Sequence, residues 1–231
     1  MIAVCRAAQR HHWRRGRQDT WETQIAGDQG GTGVVRHLGE TRVPPGAPVR
    51  QTTAVTVDVL TCVHEGSLTF KGANGSIHVV AAGEFYLAAA GTGPVDQGSN
   101  TSTRHWAHLF QVFLRSATPS TRDVPQQKRF GAAIRRGAWC LVASPDAREG
   151  SLALHHNVLV YAALLEQGQH VVHALNPGRC AWLHQMCGEV SFAGDVLAAG
   201  DGAGVCGERA VAVTARTPAE LLLLDVAGAG W

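Results

Sequence analysis

The stretch Leu60-Thr61-Cys62-Val63-His64-Glu65-Gly66-Ser67-Leu68-Thr69-Phe70 reads as two short strands divided by one glycine. Its β-branched and apolar residues suit a half-buried pleat, and a glycine inside such a run marks a bend or a close backbone approach. The pattern returns in residues 181–187, Gly188 and Glu189-Val190-Ser191-Phe192. A similar turn follows each copy, Ala81-Ala82-Gly83-Glu84 in the first and Ala198-Ala199-Gly200-Asp201 in the second. Strand, glycine, strand and turn thus recur at a spacing of roughly 120 residues, the mark of a duplicated unit.

Outward from these copies, 27 glycines punctuate short runs rich in valine, leucine, threonine and alanine, and no long amphipathic helix stands out. Candidate strands fall at 33–38, 53–63, 66–70, 76–81, 84–89, 107–114, 139–143, 158–164, 169–175, 180–186, 189–192, 210–215 and 220–226. Short strands with turn signals between them predict an all-β chain. The duplication makes it two tandem β-barrels, expected at 1–130 and 131–231. Between them, residues 116–137 carry Pro119, Pro125, Gln126, Gln127 and several charges, as a surface connection does.

The chain has 231 residues, 45% hydrophobic and 16% charged, enough to bury a sizeable core. With 20 basic and 18 acidic residues its net charge is +2, so the overall balance demands no polyanionic partner. Locally, Arg6, Arg10, Arg14, Arg15 and Arg17 surround His11, His12 and Trp13. We read them as a solvated basic terminal arm. Phosphate contacts with Trp13 stacked on a base are the alternative, but no nucleic-acid module follows. No secretory signal is visible, and residues 221–226 are strand-sized against the roughly 20 apolar residues of a membrane span. A soluble, cytoplasmic protein without a membrane partner is expected. The six cysteines, Cys5, Cys62, Cys140, Cys180, Cys187 and Cys206, form no C-x-x-C pair and read as buried reduced thiols.

One family combines these features. The segment Ser144-Pro145-Asp146-Ala147-Arg148-Glu149-Gly150-Ser151-Leu152 resembles the opening of the second barrel in pirins. The first barrel is similar at Gly16, Asp19, Trp21 and Thr23, at Leu60-Thr61 with Glu65-Gly66, at Ala82-Gly83-Glu84-Phe85, at Ala90-Gly91-Thr92-Gly93, and at His108-Leu109 with Gln111. The resemblance covers nearly the whole chain and implies a bicupin, two double-stranded β-helix (jelly-roll) barrels in tandem.

Pirins typically hold iron or another divalent metal in the first barrel through H-x-H and a later H-x-E. Alternate residues of a strand share a face, so this spacing aims imidazoles and a carboxylate into the barrel. The resemblance places the four ligand positions on Thr52, Ala54, Asp96 and Gly98. One carboxylate and one hydroxyl are too weak a set for a transition metal, whose affinity comes from imidazole and charged oxygen acting together. The expectation is therefore a first barrel without Fe(II), the family cofactor, and with no catalytic residue assigned. Asp58, Cys62 and His64 share parity with Thr52 and Ala54. Asp58 joins the pocket set, while His64 is about 33 Å from position 54 along a straight strand and cannot replace that ligand.

Loss of ligands leaves a cavity, for which Thr52, Ala54, Asp58, Asp96, Gly98 and His108 are the candidate lining residues. His108 carries a second reading, a hydrogen-bonded core histidine. His184 stands alone in the second barrel. The function implied is binding of a small molecule, or regulation through a protein partner, without dioxygenase activity. The alternatives are a metal-dependent oxygenase resembling pirins with quercetin 2,3-dioxygenase activity, and a co-regulator acting with DNA or a transcription factor.

Overall fold

The computed structural model describes residues 1–25, 33–49, 57–71, 75–88, 98–115 and 125–227. Within them the chain is built almost wholly of strands, in two compact units. One unit is His11–Arg129, and the other joins Met1–Arg10 to Phe130–Trp231.

The first unit pairs a seven-stranded sheet with a three-stranded one. The large sheet runs in the order Gln126–Arg129, Glu84–Ala88, Val57–Glu65, Ala107–Arg115, Val35–Val43, Gln18–Gln24, His11–Arg15. The small sheet is Ile77–Ala81, Ser67–Lys71, Gly98–Ser99. The second unit repeats the plan. Its large sheet holds Ile2–Cys5, Gly202–Cys206, Arg179–Cys187, Ala219–Ala227, Val158–Leu165, Cys140–Ser144 and Leu152–Ala153, and its small sheet His170–Ala174, Ala210–Ala215, Glu189–Phe192 and Asp195–Ala198.

Each core lies between a large and a small sheet. In the first unit Val43, Val63 and Leu109 meet Leu68, Phe70 and Val80. In the second Ala181, Leu183, Leu221 and Leu223 meet Val190, Phe192, Val211 and Val213. Burying each leucine, valine or phenylalanine contributes about 1.5–3 kcal/mol, so these inward stripes supply the main drive to fold. Two sheets closed over one apolar stripe per strand, repeated once, are the tandem jelly rolls expected.

The repeated glycines make the crossing between sheets. Gly66 links Val57–Glu65 of the large sheet to Ser67–Lys71 of the small one. Its φ is +73°, and a Cβ there would lie 2.6 Å from the carbonyl oxygen of Trp106. Gly188 links Arg179–Cys187 to Glu189–Phe192 with φ +76°, and its Cβ would lie 2.1 Å from the carbonyl oxygen of Pro218. The turns that follow also match. The Ala81 amide donates to the Glu84 carboxylate at 2.9 Å, and the Ala198 amide to the Asp201 carboxylate at 3.0 Å.

Three expectations are corrected. Residues 1–10 belong to the second unit, because Ile2–Cys5 pairs antiparallel with Gly202–Cys206. The basic segment is no free arm. Arg6 bonds Asp195 at 2.9 Å and Asp201 at 3.1 Å, while His11–Arg15 forms a hairpin with Gln18–Gln24 in which Arg14 lies 3.5 Å from Asp19. Cys180 and Cys206 are joined in a disulfide, since pairing of their strands sets them directly opposite with Cα atoms 4.5 Å apart. Cys5, Cys62, Cys140 and Cys187 take no part in a disulfide. No helix of the described residues is long and apolar enough to cross a membrane.

Gly66→Ala and Gly188→Ala should each lower the free energy of unfolding by about 2–4 kcal/mol, combining left-handed strain with carbonyl overlap. Gly188→Ala should be the worse, and urea unfolding of the two variants measures the difference.

Candidate functional site

Strand parity decides what enters the first barrel. Thr61 pairs with Gln111, and Val63 with Leu109, on the face that meets the small sheet. The same face carries His37, Gly39, Thr41 and Val43 of Val35–Val43, opposite Phe113, Gln111, Leu109 and Ala107. It continues into Gln18–Gln24, where Thr20, Glu22 and Gln24 oppose Thr41, Gly39 and His37.

A polar track therefore runs through an otherwise apolar interior. Gln18, Thr20, Thr41, Thr61 and Gln111 are all buried. Gln111 Nε2 donates to Thr61 Oγ1 at 3.0 Å, Thr41 Oγ1 donates to Thr20 Oγ1 at 3.3 Å, and Gln18 Nε2 reaches the same Thr20 oxygen at 3.3 Å. Buried hydroxyls and amides cost free energy unless bonded, and these are bonded to one another. Such groups give a cavity the few oriented polar contacts that a small-molecule site uses.

One end of this interior holds a titratable pair. His37 Nε2 lies 3.5 Å from Glu22 Oε1, and the His37 ring stacks on Phe113 with centroids 4.1 Å apart. Burial, aided by the neighbouring Arg36 charge, pushes the His37 pKa down to about 4. Burial raises the Glu22 carboxyl, against the opposing charges of His11 and Arg36. Both groups are thus shifted toward their uncharged forms. Val57, Ala88 and Arg115 lie at this same end of the sheet.

The structure redistributes the residues predicted from sequence. Thr52, Ala54 and Asp96 lie outside the described residues. Asp58 pairs with Leu114, and its parity, shared with Leu60 and Cys62, turns it to the face opposite Thr61 and Val63. It is buried, but on the outer face of the sheet. His108 is likewise on the outer face, where its Nε2 donates to Glu40 at 2.9 Å and its ring meets His64 edge-on at 5.2 Å. The core-histidine reading describes it. Gly98 does adjoin the core, yet it lines no open space: a Cβ there would sit 2.9 Å from Phe70 and 3.1 Å from Val49. Phe70 in turn stacks on Tyr86 at 4.7 Å, and Gly98 accepts a 2.7 Å bond from the Val49 amide.

These facts test the metal expected of the resemblance. Gly98 has no donor side chain and no room for one. If the ligand positions are those the resemblance implies, with Thr52, Ala54 and Asp96 as the other three, the side chains offer one carboxylate and one hydroxyl, a set that does not fit a transition metal.

The second barrel has its own polar tie. His173 of the small sheet donates from Nε2 to Asp225 of the large sheet at 2.9 Å, and Arg179 bonds the same carboxylate. Arg179 also donates to Asn157 at 2.9 Å, and the Tyr161 ring lies 4.6 Å from His173. This network spends its donors on protein acceptors, so it fastens the two sheets.

Comparison with known proteins gives a consistent set of relatives. Residues 141–226 match the quercetinase C-terminal cupin domain. A protein named quercetin 2,3-dioxygenase from Escherichia coli K12 is 28% identical, with 98% of this chain and 99% of that one covered. A Pseudomonas aeruginosa protein, to which the same name is attached provisionally, is 31% identical over 74% of each chain. Among solved structures, YhhW from Escherichia coli superposes with a TM-score of 0.87 at 27% identity over 100% of both chains. A structure of bacterial pirin YhhW in complex with nickel(II) gives 0.85 at 27% identity, covering 99% of this chain and 100% of that one.

Two outcomes follow from the site. Gly98→Ala should destabilise by about 1–3 kcal/mol by pressing on the stacked Phe70 ring, and Gly98→Glu by more, read by thermal or urea unfolding. His37 should remain neutral until the pH nears 4, as an NMR titration of its ring protons measures. Its folded pKa lies below the unfolded value of about 6.5, so the unfolded chain binds the extra proton and stability falls as pH drops from 6.5 toward 4. His37→Gln should remove about 3 kcal/mol of that dependence. The raised Glu22 carboxyl acts with the opposite slope and is retained in both proteins.

Proposed function

Because the chain belongs to the pirin family of bicupins, we propose that it binds a small, uncharged, ring-bearing molecule inside the first barrel without the family's metal. The observation that carries this reading is the filled space at Gly98, where the family's fourth ligand would stand.

Recognition on this reading is divided between two sets of groups. The Thr20, Thr41, Thr61 and Gln111 track offers hydroxyl and amide contacts, while His37 on Phe113 offers a flat wall. The uncharged state of His37 favours a neutral guest, since a charged one would lose hydration in a site whose burial already holds His37 and Glu22 toward their uncharged forms. No catalytic residue is assigned. Glu22 and His37 would serve to orient the guest by hydrogen bonding.

The second reading is a metal-dependent quercetin 2,3-dioxygenase, favoured by the names of the relatives and by the nickel-bound YhhW. The donor set weighs against it, because oxygen chemistry at such a centre needs imidazole or carboxylate ligands with open positions.

Elemental analysis of protein purified without chelators, followed by anaerobic ferrous reconstitution and a quercetin consumption assay, separates the two. We expect substoichiometric metal, no turnover, and quenching of protein fluorescence by quercetin that weakens in Gln111→Leu. Stoichiometric metal with turnover overturns the proposal, and absence of quercetin binding removes flavonols from its ligand class.

A further inference from the structure

A cleft of about 730 Å³ lies at the other end of the first barrel, between the hairpin tip Arg15-Gly16-Arg17-Gln18 and the segment Pro44-Pro45-Gly46-Ala47-Pro48. Asp19 pairs with Arg42 here, whereas His37 and Glu22 lie toward the far end of the same strands. The cleft shares Gln18 with the buried polar track but lies away from His37 and Glu22, and its volume is that of a small-molecule site.

Its charge is unbalanced. Arg14 lies 3.5 Å from Asp19, and His12 reaches the same carboxylate at 3.1 Å. Among the described residues no carboxylate forms an ion pair with Arg15 or Arg17. The Arg17 guanidinium instead lies 5.4 Å from the ring centroid of Trp106, which is 40% exposed. A guanidinium held over an indole face is oriented but not neutralised, so its in-plane donors stay available to an oxyanion.

Both walls are set in advance. The hairpin closes at Gly16 with φ +62°, directly after the pairing of Arg15 with Gln18. Opposite, Pro44, Pro45 and Pro48 have fixed φ and present apolar rings. That segment is tied by the Gly46 amide to Ser102 at 2.9 Å, by the Ala47 carbonyl to the Asn100 amide at 2.9 Å, and by Asn100 Nδ2 to the Val43 carbonyl at 3.1 Å. Walls that need no ordering on binding leave more of the contact energy as affinity.

We propose that this cleft binds a small organic anion, an oxyanion group carried on a flat apolar body. The oxyanion meets Arg15 and Arg17, and the apolar body lies along the proline wall. Phosphate esters and carboxylates share this chemistry.

Titration calorimetry with phenyl phosphate, benzoate, phenol and inorganic phosphate tests it on the full chain. At least one aryl anion should bind, with phenol and inorganic phosphate at least about tenfold weaker, because each lacks one half of the contact. Stronger phenyl phosphate assigns the ligand to phosphate esters, and stronger benzoate to carboxylates. The double variant Arg15→Gln, Arg17→Gln should lose about tenfold or more in affinity, with its melting temperature and quercetin quenching unchanged. Trp106→Leu, which frees the Arg17 side chain, should weaken binding in the same direction. The proposal is overturned if neither aryl anion binds, if the double variant binds as well as the parent, or if inorganic phosphate binds as tightly as phenyl phosphate. Its failure leaves the interior site untouched, since quercetin reports on that one.

Discussion

The fold turns on a steric constraint met twice: a chain must leave one sheet for another where a neighbouring carbonyl already fills the space of a side chain. At Gly66 that oxygen belongs to Trp106, and at Gly188 to Pro218. The residue must also have a left-handed φ, which glycine adopts without the Cβ clash of other L-residues. With the crossing set, Val63 and Leu68 fall on the two walls of one core, as Leu183 and Val190 do on those of the other. The cores follow from the bend, since any other residue at the crossing would separate the two stripes.

The same crossing fixes which side chains enter the first barrel. Counting back from Gly66, Val63, Thr61, Val59 and Val57 share the inward face, and His64, Cys62, Leu60 and Asp58 share the other. A slip of one residue would exchange the two sets. The interior is thereby committed to threonine, valine and, from the partner strand, Gln111. His108 is committed to its bond with Glu40. A histidine in a matched strand is therefore no evidence of a ligand until its parity is known.

Much of this architecture is legible in the amino-acid order because Gly66 and Gly188 stand among alternating apolar residues, a local pattern with a local cause. Parity shared with Thr52 and Ala54 sets Asp58 inward, whereas within Val57–Glu65 it faces away from Thr61 and Val63. Glu22 and His37 are hidden in the sequence for a different reason. In Gln18-Asp19-Thr20-Trp21-Glu22-Thr23-Gln24 both faces are largely polar, so alternation carries no signal, and the inward face appears only once Thr20 is paired with Thr41. Cys180 and Cys206, and the pairing of Ile2–Cys5 with Gly202–Cys206, depend on contacts between residues remote in the chain. No spacing rule announces them.

The two ends of the first barrel differ in what they ask of a guest. At the His37 end, burial moves an imidazole and a carboxyl toward their uncharged forms, and an ion arriving there would suffer the same loss of water. At the other end, Arg15 and Arg17 stand exposed at a hairpin tip beside a proline wall, and a neutral guest would leave their guanidiniums hydrated as before. The difference arises from position along the same strands. Glu22 and Gly39 are paired within the sheet, whereas Gly16 and Arg17 form the tip of a hairpin open to solvent. One sheet thus presents a desolvated end and a solvated cationic end.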